Sequence, residues 1–99
     1  MRLSIDQRLI LKQRFSDELG LDCEIRIFGS RADDGARGGD VDLLVRCPRR
    51  LDRKVWLAAR LAASAERALE GRKVDVLLVD PDTLLQPVHY AALRDGVLL

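Results

Sequence analysis

The sequence predicts an α+β domain: a small mixed β-sheet with flanking helices, in the order α-β-β-α-β-α. Two stretches with apolar residues at helical spacing, about residues 5–19 and 51–70, read as helices. Three short runs rich in Val, Ile and Leu, at Cys23–Phe28, Val41–Arg46 and Lys73–Val79, read as strands. A last, shorter helical pattern follows the third strand, and this order suggests the mixed sheet. Ninety-nine residues make one domain, 1–99, near the lower end of chains that bury an adequate core without staples.

Each element has a local reason. Ser4 with Gln7 three residues on is a capping-box signature that opens the first helix. Ile5, Leu9, Phe15 and Leu19 are expected along one side of it, and Gly20 stands in the usual stop position. In the first strand Ile25 and Ile27 alternate with Glu24 and Arg26. Arg31–Gly39 is a polar, glycine-bearing loop, and Pro48 stops the second strand. The second helix carries Leu51, Val55, Ala58, Ala62, Ala65 and Leu69 on a narrow stripe, whose alanines imply close approach to a sheet. Gly71 terminates it. The third strand is apolar on both faces and so is expected to be covered on both, with Asp75 standing out inside it. Asp80-Pro81 ends that strand. A short helix then spans Thr83–Arg94, interrupted or restarted at Pro87, before the tail Val97-Leu98-Leu99.

Composition excludes several classes of function. The net charge of +1, with acids and bases interspersed, gives no basic footprint for nucleic acid as main partner. A local patch at Arg46–Lys54 is the only support for a nucleic-acid-binding regulator. No apolar run is long enough to span a bilayer, and the start lacks a signal-peptide core, so a cytoplasmic protein is expected. Cys23 and Cys47 form no metal motif. They lie at the outer ends of two strands and could fall near each other if those strands form a hairpin, but two reduced core residues are expected in a cytosolic protein.

Chemistry concentrates where the first strand runs into the turn Gly29-Ser30-Arg31 and the second opens with Asp40-Val41-Asp42. Side chains at i and i+2 of a strand share a face, so Asp40 and Asp42 are expected to project together beside Ser30. Glycine lets the backbone approach phosphate oxygens, and N–H groups with the Ser30 hydroxyl can donate to them. A lone Asp75 in an apolar strand would be costly to desolvate, and becomes tolerable if it shares a cation with the other two. Carboxylates plus substrate phosphates are the usual magnesium setting, and two such ions would clamp an in-line displacement at phosphorus. No GxxxxGK[ST] loop is present.

Gly29-Ser30-Arg31-Ala32, Asp40-Val41-Asp42-Leu43 and the later strand Asp75 resemble the polymerase-β-type nucleotidyltransferase superfamily. Closer still is the resemblance to its minimal nucleotidyltransferases, the MNT group paired with HEPN proteins. It covers nearly the whole chain, closing stretch Leu93–Leu99 included. The resemblance implies a nucleotidyltransferase fold and transfer of a nucleoside monophosphate, AMP from ATP, to a hydroxyl. For the MNT group it implies an antitoxin of a type VII-like toxin-antitoxin pair that adenylylates a tyrosine of its HEPN-type toxin. Carried over by position, Gly29 and Ser30 would hold the triphosphate, with Arg31 neutralising phosphate charge. Asp40, Asp42 and Asp75 would bind Mg2+, as two ions, and Asp75 would help activate the acceptor hydroxyl. Two departures from the pattern are visible. Arg31–Gly39 places nine residues between Ser30 and Asp40, about one fewer than the family's usual spacing, and Gly39 stands where serine is common. The alternative is accordingly a weak or inactive enzyme that neutralises its partner by binding.

Trp56 lies opposite the alanine stripe, among Arg53, Arg60 and Arg67. It reads either as an interface anchor or as a ring laid over its neighbours. His89 and Tyr90 read either as lining the acceptor entrance or as structural residues of the last helix.

Overall fold

A computed structural model describes residues 3–29 and 40–99. The elements are α1 (Ile5–Leu19), β1 (Glu24–Phe28), β2 (Val41–Arg46), α2 (Lys54–Ala68), β3 (Val74–Val79), α3 (Pro87–Asp95) and β4 (Val97–Leu98). The expected α+β class and element order are present, with one short strand added at the end. The expected Arg31–Gly39 loop lies outside the described residues.

Among the described residues the sheet has four strands in the order β3-β2-β1-β4. β1 pairs antiparallel with β2 and β4, while β2 and β3 run parallel, joined by the α2 crossover that a parallel pair requires. The sheet is therefore mixed. Alternation then sorts the side chains into two layers. Val41, Leu43 and Val45 of β2 face α1 and α2 in the main core, with Leu11, Phe15 and Leu61. Leu44, Leu77 and Val79 face α3, where Ala92 closes a smaller cluster with Phe28 and Leu85. Asp42 and Asp75 belong by parity to this second, thinner layer.

Several expectations are corrected. In α1 the Ser4–Gln7 capping box forms, with Ser4 Oγ accepting the Gln7 N–H at 3.0 Å. The buried side is Leu11, Phe15 and Leu19, whereas Ile5 and Leu9 are 76% and 58% exposed. At 100° per residue Ile5 lies about 120° round the helix from Leu11, so it cannot share that face. α2 starts at Lys54 rather than Leu51, because Arg53 adopts a left-handed conformation (φ 53°) ahead of it. Its buried line runs through Leu61 and Ala65 to Leu69, and Val55 of the expected stripe is 88% exposed.

β3 has apolar packing on both faces but forms the sheet edge, and its middle residues are only half-buried. Asp75 is exposed, so it carries no desolvation cost of the kind expected. Pro87 starts α3 at its first turn instead of interrupting a helix from Thr83, as suits a residue without an N–H. Val97-Leu98 is not a free tail but pairs with Ile27 and Arg26 of β1. Gly96 permits that return, since a Cβ there would collide with the Ala92 carbonyl oxygen.

Cys23 and Cys47 are joined in a disulfide, against the expectation of reduced thiols. The register explains it. Glu24 opposes Arg46, so the next pair outward is Cys23 and Cys47, with Cα atoms 4.4 Å apart. That separation matches a non-hydrogen-bonded antiparallel pair, whose side chains approach most closely. Among the described residues no helix is long and apolar enough to cross a membrane.

Candidate active site

Register builds the site. Phe28 of β1 opposes Asp42 of β2, and Asp42 in turn opposes Asp75 of β3. Three strands thus set Phe28, Asp42 and Asp75 in one row on the α3 side of the sheet. Neighbouring strands lie about 4.8 Å apart, so the two carboxylates are adjacent. Asp42 is half-buried and Asp75 exposed. Carboxylates on neighbouring strands of one sheet face are an arrangement that can take up a divalent cation.

Gly29 completes the described part. Its φ of +104° belongs to glycine, and a Cβ placed there would stand 2.5 Å from Oδ2 of Asp42. The Asp42 carboxylate therefore lies directly against the bare backbone of the turn, which any side chain would occlude. Asp40 is exposed immediately before β2, at the position of the same parity as Asp42. Asp40, Asp42 and Asp75 do not close into a three-ligand metal cluster among the described residues. Ser30 and Arg31 lie outside the described residues.

Beside Gly29 a cleft of about 360 Å³ opens between β1 and α3, lined by Phe28, Gly29, Val88, Ala91 and Asp95. Sequence reasoning missed it, because its walls come from distant segments and its apolar residues read as ordinary helix.

The opposite end of the same sheet has another character. Asp80, at the end of β3, is 4% exposed and was read only as a strand stop. Its Oδ2 accepts the Leu51 N–H at 2.8 Å. Its Oδ1 accepts from Lys54 Nζ at 3.1 Å, the Asp82 N–H at 3.0 Å and Thr83 Oγ1 at 3.1 Å. The Leu51 N–H above all, with Lys54, Thr83 and Asp82, holds the Asp80 carboxyl well below the usual carboxylate range despite the opposing effect of burial. This residue is a knot tying the start of α2 to the β3–α3 turn. The only advance signal was an Asp-Pro-Asp-Thr turn sequence.

Trp56 is 50% exposed, with Arg53 and Arg60 stacked on its ring at 4.7 and 5.4 Å, and Arg60 reaches on to Glu18 of α1. His89 is structural: its Nδ1 accepts the Gln86 N–H at 2.8 Å ahead of α3. Tyr90 is 59% exposed.

A glycine turn against a row of strand carboxylates, carried on a small mixed sheet, defines a fold and site suited to transfer at phosphorus. The chain matches the nucleotidyltransferase domain family over residues 7–94 and belongs to it. Among curated proteins none matches it significantly in sequence. Two solved structures share its fold. One is the crystal structure of the toxin–antitoxin MntA–HpeT mutant, at TM-score 0.56 and 23% identity, over 88% of this chain and 66% of that chain. The other is tri-AMPylated Shewanella oneidensis HEPN toxin in complex with MNT antitoxin, at TM-score 0.56 and 23% identity, over 93% of this chain and 70% of that chain. The chain thus spans just under two thirds of the first.

Proposed function

We propose that the protein is a magnesium-dependent nucleotidyltransferase that moves AMP from ATP to a tyrosine hydroxyl of a HEPN-type toxin, and so acts as a cytoplasmic antitoxin. The observation that carries this is the register that sets Asp42 beside Asp75, with the Gly29 turn against the Asp42 carboxylate. Family membership supports transfer of a nucleotide. The partner is supported by the fold shared with complexes of MNT antitoxin and AMPylated HEPN toxin.

The donor set fits the metal: carboxylate oxygens from Asp42 and Asp75, with Asp40 beside them, are the hard ligands magnesium takes together with substrate phosphates. Bound there, the ion would neutralise charge on the triphosphate. The chain's own groups do the rest. The Gly29 turn, with Ser30 and Arg31 following, holds the phosphates. Asp75, exposed on the neighbouring strand, is open to the acceptor and takes the proton of the tyrosine hydroxyl as its oxygen attacks the α-phosphorus. A new oxygen–phosphorus bond forms, the bond to pyrophosphate breaks, and positioning supplies most of the rate.

The test is to purify the protein with the HEPN-type product of its neighbouring gene, add ATP and Mg2+, and measure AMP on partner tyrosines by mass spectrometry. Modification by the wild type and its loss in Asp42→Asn is the expected result. A partner bound and silenced without any AMP would instead establish neutralisation by complex formation, the reading that the nine-residue Ser30-to-Asp40 spacing favours.

A further inference from the structure

The cleft between β1 and α3 has no part in the transfer chemistry just described, yet it begins at the same glycine. Gly29 both touches the Asp42 carboxylate and lines the cleft. Phe28 is both the register partner of Asp42 and a cleft wall. Among the described residues the remaining walls are Val88 and Ala91, one turn of α3 apart, and Asp95 brings a charged group. The volume of about 360 Å³ falls within the range of small-molecule sites, and apolar walls with a charged side chain among them are typical of such sites.

We propose that this cleft is the nucleobase subsite, and that Asp95 selects bases presenting an exocyclic amino group against uracil. The inference rests on the nucleotidyltransferase reading and adds a specificity determinant to it. A triphosphate held at the Gly29 turn beside Asp42 has its base tethered within reach of that turn. The apolar cavity continuous with the turn is the cleft. An aromatic ring from β1 and two aliphatic side chains from α3 offer contact to a flat heterocycle.

The chemistry of Asp95 then bears on which heterocycle the cleft takes. Both Asp95 oxygens accept from Arg94, Oδ1 from Nε at 3.0 Å and Oδ2 from Nη2 at 2.9 Å. A carboxylate offers about four lone-pair sites, so each oxygen can still accept another donor. Hydrogen bonding from Arg94 holds the Asp95 carboxyl below its usual range and keeps it an acceptor at neutral pH. Adenine and cytosine bring an amino donor where uracil brings a carbonyl oxygen. Opposing two acceptors leaves both without a partner, and sites built around a hydrogen bond reject analogues that lack it.

The experiment is equilibrium binding by calorimetry, with Mg2+, of non-hydrolysable ATP and UTP analogues and of inorganic triphosphate. It compares the wild type with Ala91→Phe, Val88→Trp and Asp95→Asn. Val88 is 47% exposed, so the tryptophan variant narrows the cleft from a position that tolerates bulk even if Ala91→Phe does not fold. The wild type is expected to bind the ATP analogue at least tenfold more tightly than the UTP analogue. Val88→Trp and a folded Ala91→Phe should lose tenfold or more for the ATP analogue while binding inorganic triphosphate as before. Asp95→Asn, whose amide offers a donor as well as an acceptor, should bring the two analogues within about threefold. Unchanged ATP-analogue affinity in Val88→Trp, or equal binding of the two analogues by the wild type, overturns the subsite while binding of triphosphate leaves the transferase reading standing. A wild type that binds neither the analogues nor inorganic triphosphate overturns both.

Discussion

The two ends of the sheet treat the same side chain in opposite ways. At one end Asp42 and Asp75 stand next to each other on parallel strands, one half-buried and one exposed, against a bare glycine turn. At the other, Asp80 is buried and fully engaged, Asp22 pairs with Arg49 at 2.7 Å, and Glu24 pairs with Arg46 at 2.9 Å. The disulfide closes that end. One end presents its carboxylates beside a bare turn, and the other ties its carboxylates to arginines, a lysine and a backbone N–H. The lesson is that an aspartate's role is set by the groups its neighbours bring to it, not by its being acidic.

The largest effect should come from the open end. Asp42→Asn is expected to lower the rate of AMP transfer by roughly 10²–10⁴-fold. The variant is expected to keep its fold by circular dichroism, so that the loss is one of chemistry. A clear fall in melting temperature would mean that Asp42 is a structural residue, and the contrast between the ends would break.

Reducing the disulfide, or replacing both cysteines by alanine, acts on the closed end. A cross-link spanning 24 residues is worth about 3 kcal/mol in the chain-entropy account. For a domain this size that corresponds to a drop of roughly 10–20 °C in melting temperature, readable by circular dichroism with and without reductant.

Asp80→Ala should lower the melting temperature by on the order of 10 °C, since it leaves Lys54 and the Leu51 N–H without their acceptor. The pH dependence has a definite sign. The folded carboxyl is held below its unfolded value, so its contribution is complete above about pH 4 and is lost as pH falls through the folded value. The gap between wild type and Asp80→Ala should therefore shrink steadily in melts taken below about pH 4. The smallest effect belongs to Glu24→Gln, whose pair with Arg46 is exposed: less than about 1 kcal/mol, vanishing at high salt.

Local signals carried the sequence reading, and non-local ones defeated it. The bounds of α1 and β2 were legible because Ser4, Gln7, Gly20 and Pro48 act on their own neighbourhood. The start of α2 was not, because Arg53 in a left-handed conformation interrupts a pattern that would otherwise begin at Leu51. β4 was invisible: two residues gain strand character only by pairing with β1, about seventy positions away. The disulfide was readable as a proximity once a hairpin was considered, but expected compartment outweighed geometry. In the site, parity pointed to Asp40 and Asp42 as residues of one face, and Asp75 was joined to them only through a shared cation. The common register of Asp42 and Asp75, the exposure of Asp75 and the cleft under α3 needed the assembled sheet. Asp80 escaped notice because its partners come from α2 and the following turn rather than from its own strand.

The disulfide has one more consequence, for the chain as a covalent object. Cys23 and Cys47 bracket everything from the first strand through the loop to the end of the second. A protease that cuts anywhere between them leaves two fragments that still travel as one molecule until a reductant is added. The segment bearing Gly29, Ser30 and the first two aspartates could thus be nicked, or rebuilt as a split polypeptide, with its two halves remaining bonded.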